Sequence, residues 1–367
     1  MGIKTRNFAN NILSGGTIDG TDFLSGTLPS SNITNDSAAS VTSIPSISNV
    51  VSSVAGDPPS PTLGDIWYNS STNTLKFQGF QAAAWATGGS VPTATNFIGS
   101  FGSQTAALAF NGEIPGPGGN TTQQSLSYDG TSWTATNPTG SLTTSGQGAR
   151  GAGTTGAGIA SSYQGGGGTP AAYTDVKEWD GTSWTAGTSH SNRQSNAMMA
   201  SAGTQTATAI FGGTSESDPS PRVNTEEWNG SSWTNGGNLN TGRGASGGSG
   251  TLTSAICVGA DSSPFALVEE YNGTSWTAAT AYPSAPDASS RCTGPTQDAT
   301  LAWHRGTAAT YNGTAWTAVG TLSTPRISAG AAGTTTAGLC IAGGPPNTAV
   351  VEEFTGASGI AKTFTTD

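Results

Sequence analysis

Charge is scarce in this chain. Only 9% of its 367 residues are Asp, Glu, Lys or Arg, and the formal net charge is −10. Binding nucleic acid without sequence preference requires a basic surface that releases counterions, and adsorption to an anionic membrane requires the same. The 12 basic residues form no run, so neither partner is expected. Histidine is scarcer still: His190 and His304 stand far apart, and no HxH or HExxH pair occurs to seed a metal site. The three cysteines, Cys257, Cys292 and Cys340, are odd in number and widely spaced, with no CxxC. Cys257 in AICVGA and Cys340 in GLCIAGG lie in apolar runs and read as small buried hydrophobes. No apolar run is long enough to span a bilayer, and MGIKTRNFANNILSGG lacks the apolar core of a signal peptide. Walker and dinucleotide fingerprints are missing, and GxSxG-like strings carry no weight where Gly and Ser are this common. The expectation is a protein with no cofactor, no metal, no membrane insertion and no catalytic residues.

What the chain does have is glycine, 54 residues of it, together with much Ser and Thr. Gly and β-branched Thr are weak helix formers, whereas 34% hydrophobic residues and ten Trp argue against disorder. Short strands joined by Gly-rich turns fit this composition. A heptad recurs: YDGTSWT from Tyr128, WDGTSWT from Trp179, WNGSSWT from Trp228, YNGTSWT from Tyr271, YNGTAWT from Tyr311, and a worn FTG at Phe354. The spacings are 51, 49, 43, 40 and 43 residues, about the length of one four-stranded unit. Asp-Gly or Asn-Gly between aromatic-bearing runs predicts a hairpin with a type I′ turn, in which the leading aromatic and the following Trp pack across the strands. The same turn chemistry accounts for the sequon-like triplets at Asn229, Asn272 and Asn312 without glycosylation.

Two more strands precede each heptad. The first is rich in small residues (GARGAGTTGAG, SNAMMASAGT, RGASGGSGT, RISAGAAGT), and the second is apolar and often ends in a Gly pair (Gly212-Gly213, Gly343-Gly344). A unit therefore reads as strands A, B, C and D, with A innermost where backbones crowd. Six units begin near residues 90, 139, 189, 239, 283 and 322, and GIAKTFTTD is expected to supply the last strand D. The Gly pair, the Tyr and the later Trp, with a Pro-Arg start at Pro325-Arg326, resemble the Kelch repeat over about three quarters of the chain. The first and fifth units depart from it, reading AFNG and AWHRG. The resemblance implies an all-β, six-bladed Kelch-like β-propeller; it is specific for fold and nearly silent on function. The His, Tyr and Cys constellation of copper-binding propellers of the galactose oxidase type is not matched.

Five arginines, Arg150, Arg193, Arg243, Arg291 and Arg326, open units just before strand A. In a closed array they lie on one face near the axis. One reading makes them structural, capping strand ends or tying neighbours through fork-like hydrogen bonds; the other makes them an anion or acidic-glycan site. The pairs Glu226-Glu227, Glu269-Glu270 and Glu352-Glu353 end strand C and read as guards against edge-to-edge aggregation.

The N-terminal quarter divides into residues 1–60, an extended segment expected to order against partner chains, and residues 61–89, a small β module of two or three strands; residues 90–367 form the propeller. The GDIWYN stretch and ILSGGTIDGTDFLSGTLPSSNIT resemble tail-fibre and appendage proteins of bacteriophages, marine cyanophages in particular. That resemblance implies a virion structural protein, a fibre or other surface appendage, anchored through its N-terminus to other virion proteins. Its propeller would then face outward for adhesion to host-surface glycan, in several symmetric copies. A non-viral Kelch-type adhesion or scaffold protein is the alternative, and a glycan-active enzyme the third reading.

Overall fold

The computed structural model describes residues 51–116, 120–136, 146–161, 164–165, 174–190, 199–213, 222–260, 263–283 and 290–364. Every regular element among them is a strand, and seven four-stranded sheets account for most. The protein is all-β. The chain divides into two compact bodies: a repeat body, Ala83–Gly356, and a terminal body formed by the residues before and after it. These limits do not coincide with the expected ones at 60/61 and 89/90.

In the repeat body each unit is one antiparallel sheet in the order A-B-C-D. The A strands are Gly99–Ser103, Arg150–Thr154, Met199–Thr204, Gly247–Thr251, Arg291–Thr296 and Gly330–Gly333. Each A strand neighbours the next, and that of repeat 6 neighbours that of repeat 1, so the contacts return to their start. Side chains tie these neighbours together: Ser201 Oγ donates to Gly151 O at 3.1 Å, Thr293 Oγ1 to Gly333 O at 2.7 Å, and Ser100 Oγ to Ala331 O at 2.9 Å across the return. Such approach demands small residues. A Cβ on Gly248 would lie 2.6 Å from Ser201 O of the neighbouring A strand; within the A–B hairpin of repeat 1, Gly102, at φ +113°, would carry its Cβ 2.3 Å from Ala106 O.

The last sheet corrects one expectation. Its strand D is Ala84–Thr87, from ahead of repeat 1, paired with Thr348–Thr355 so that Thr355 faces Ala84 and Phe354 faces Trp85. The tail expected there, Ser358–Thr363, pairs with Thr74–Gln81 in the terminal body. The reason is aromatic. Every other heptad sets Trp opposite its leading aromatic, with ring centroids 4.7 to 5.3 Å apart. Phe354 finds that partner in Trp85 at 5.2 Å, and the tail has no Trp to offer. The heptad of repeat 6 is thus split between the two ends of the body.

The turns differ from expectation too. Tyr128 pairs directly with Trp133, leaving a loop of four residues, and only the glycine has positive φ (Gly130, +95°). A type I′ turn would need two such residues. Instead Asp129 Oδ1 accepts from Thr131 N and Ser132 N, both at 2.8 Å, and from Thr131 Oγ1 at 2.7 Å. These bonds hold the Asp129 carboxyl well below the usual carboxylate range. Asn229, Asn272 and Asn312 make the equivalent bonds to their own turns.

The terminal body has one sheet, in the order Val51–Val54, Ile66–Asn69, Thr74–Gln81, Ser358–Thr363, with only the first pair parallel. In it Asp57 accepts from Lys76 Nζ at 2.8 Å, Asn69 Nδ2 at 2.8 Å and Trp67 Nε1 at 3.1 Å. The Lys76 bond above all pulls the Asp57 carboxyl down to about 2.

Candidate functional site

The arginines that open the repeats are not equivalent. Arg243 and Arg326 lie four residues ahead of their A strands, buried, and each meets a glutamate of its own sheet's strand C. Arg243 Nη2 bonds Glu269; Arg326 Nη1 donates to Glu352 Oε1 at 2.6 Å. The same carboxylates hold the link into strand A. Glu269 accepts from Asn240 N at 2.8 Å and Thr241 N at 3.3 Å, and Glu352 from Ser323 N at 2.7 Å and Thr324 N at 3.2 Å. Repeat 3 uses a histidine instead: His190 Nδ1 lies 3.2 Å from Glu226 Oε2, both side chains buried. Arg193 falls outside the described residues.

These contacts overturn the reading of the Glu pairs as edge guards. The first member of each pair is buried and clamps a basic side chain of the link, Arg243, Arg326 or His190. The second reaches the next repeat: Tyr271 Oη donates to Glu227 and Tyr128 Oη to Glu353, and Tyr311 bonds Glu270. Adjacent strand residues face opposite ways, so one dipeptide serves two neighbours. Burial, then the carboxylate, pushes the Tyr128 and Tyr271 hydroxyls up to about 12. Sequence reading missed this pattern. A partial signal was there: where the next repeat carries Trp or Phe in place of Tyr, the residue before the last of strand C is Ser127 or Thr310 in two cases, with Glu178 the exception. Gln104 and Gln205 were missed as well. Gln104 Nε2 donates to Gly338 O and Phe354 O, and Gln205 Nε2 to Gly158 O and Trp179 O, each in the preceding repeat.

Arg150 and Arg291 belong to a second class. Each is the first residue of its A strand. Arg150 Nε donates to Met199 O at 2.7 Å and Nη1 to Ala149 O at 3.3 Å; Arg291 Nε donates to Ala329 O at 2.6 Å and Nη1 to Ser290 O at 2.9 Å. Both forks thus grip the next repeat and the residue just before. Both line a cavity of about 50 Å³ whose walls come from the A-strand starts of all six repeats. Desolvation lowers both guanidinium pKa values, Arg291 to about 10, and the charge of Arg291 acts further on Arg150. Cys292 shares the lining, and burial pushes its thiol up to about 12, so it remains a neutral thiol at pH 7. Cys257 and Cys340 are likewise free and buried.

A broader, shallow hollow of about 340 Å³ lies where His304–Thr307 meets Thr321, Leu322 and Pro325. Among the described residues no group of three or more His, Cys, Asp or Glu converges on one point. No protein-family model matches this sequence, and comparison with curated proteins finds no match.

Proposed function

We propose that the repeat body is a six-bladed Kelch-like β-propeller that works as a rigid, non-enzymatic display scaffold on a bacteriophage particle. The observation that carries the scaffold reading is the return of the A-strand contacts from repeat 6 to repeat 1, with the last sheet completed by Ala84–Thr87. A sheet array whose last sheet joins both ends of the repeat body leaves no ragged outer strand and holds its connecting loops rigidly, which suits binding at loops. Placement on the virion rests on the resemblance of the N-terminal region to phage fibre proteins. The appendage would be anchored by that region to other virion proteins, in several copies, with the repeat body turned toward host-surface glycan.

The test is immunogold labelling of particles released from an infected host that expresses the tagged full chain, compared with a chain starting at residue 51. Label on particles with the full chain alone supports the reading. Particles free of label with both chains would place the protein outside the virion and favour a Kelch-type adhesion or scaffold role elsewhere. The propeller itself is settled by cryo-electron microscopy or crystallography: seven blades, or heptad Trp residues nearest the axis, would sink it.

A further inference from the structure

We infer that the cavity lined by the A-strand starts of all six repeats binds a small inorganic anion, a halide or an oxyanion no larger than phosphate, between Arg150 and Arg291. The placement comes from the repeat itself. In repeats 1, 2, 3, 4 and 6 a positive-φ glycine stands last or next to last in strand A (Gly102, Gly153, Gly203, Gly250, Gly333), and Gly294 occupies the equivalent place in repeat 5. Three residues before it stand Gly99, Arg150, Ala200, Gly247, Arg291 and Gly330. Four of the six positions have no side chain beyond a methyl group. The other two are arginine, and they are three repeats apart in a cyclic order of six, which makes them opposite. Four small residues leave space; two long cations reach it from opposing walls.

The chemistry of the walls points the same way. Nε and Nη1 of each guanidinium are fixed on carbonyls, in the same fork in both repeats. Among the described residues no bond is made by either Nη2. Arg291 is 6% exposed. The remaining lining is Gly, Ala, Ser, Ile98 and Cys292, with no carboxylate. Arg243 and Arg326, both more deeply buried than the half-buried Arg150, each have a glutamate. Two like charges lining one cavity without an acid are neutralised most directly by an anion, and prefixed guanidinium donors suit one that accepts several charge-assisted hydrogen bonds. The inference does not depend on where the protein is displayed.

The test uses thermal unfolding of the full chain in sodium chloride, sodium phosphate and sodium gluconate at matched ionic strength. Gluconate is too large for the cavity and reports general screening. The melting temperature should rise saturably with chloride or phosphate, as ligation of the native state requires, and whichever of the two acts at lower concentration identifies the ligand. The rise should stay absent in gluconate and vanish in Arg150→Met and Arg291→Met. An equal response in all three salts, or the same chloride and phosphate response in both variants, overturns the inference. Should the variants fail to fold, crystals of the unaltered chain grown in bromide decide it. An anomalous peak within hydrogen-bond distance of both Nη2 atoms, or phosphate density there in crystals grown in sodium phosphate, supports the site, and the absence of both overturns it.

Discussion

Repeats 4 and 5 are neighbours, both open with arginine, and use it for opposite ends. Arg243 precedes its A strand by four residues and is spent on Glu269; Arg291 begins its A strand and is fixed on carbonyls at a cavity without acids. Strand C explains the difference. Repeat 4 ends it with VEEY and repeat 5 with AATY, so Ala309 stands where Glu269 would be needed. Repeats 3, 4 and 6 carry both the acid and a basic residue in the link (His190, Arg243, Arg326), while Leu126, Lys177 and Ala309 occupy the acid's place in repeats 1, 2 and 5. One residue type thus serves as a clamp or as a cavity wall, depending on four residues of register.

That contrast can be broken most forcefully at Arg326. Arg326→Met should strand Glu352 in the interior without its cation and destabilise the repeat body by about 3–5 kcal/mol. Arg291→Met, which leaves no orphaned acid, should cost far less in gluconate. Equal losses in urea unfolding would erase the distinction between the classes. Next in size is the aromatic pairing common to all six repeats. Trp184, 2% exposed, packs on Trp179, Phe101 and Phe110, and Trp184→Ala should cost about 3 kcal/mol. A loss under about 1 kcal/mol would mean the site collapses without a cavity.

The bond from Tyr271 to Glu227 sharpens the comparison between repeats joined by a Tyr–Glu contact and those that lack one. Tyr271→Phe should cost about 1 kcal/mol, whereas Trp228→Phe should forfeit no such bond, because Trp228 Nε1 has no partner among the described residues. Matching losses in both would remove the carboxylate from the argument. The smallest effect is read from pH. Tyr128 and Tyr271 titrate near 10 when unfolded and near 12 when folded. Their contribution is therefore complete below pH 10 and fades as pH rises toward 12. Tyr271→Phe should flatten the fall in melting temperature across that window, and an unchanged slope would refute the assignment.

The repeat was legible because its spacing and aromatics are local. The A strands needed only their run of small residues, and the pairing of Tyr128 with Trp133 or Tyr271 with Trp276 needed only the heptad. The turn was misread because Asp129 competes for its own backbone, and a four-residue loop satisfies Asp-Gly as well as a two-residue one does. Arg150 and Arg326 looked alike because sequence distance to a blurred strand start hid a four-residue offset that the positive-φ glycines reveal.

By itself the sequence determined an all-β chain with six copies of one unit, because period and turn chemistry act within some fifty residues. Three things waited for tertiary structure. One was which strand completes repeat 6: the missing Trp came from more than 260 residues away, at Trp85 beside Phe354. The second was the division of each Glu pair, its first member on a basic residue of its own link and its second on a tyrosine of the next repeat. The third was the opposition of Arg150 and Arg291 across six backbones. Each depends on proximity between residues that lie far apart in sequence, and no local propensity encodes that.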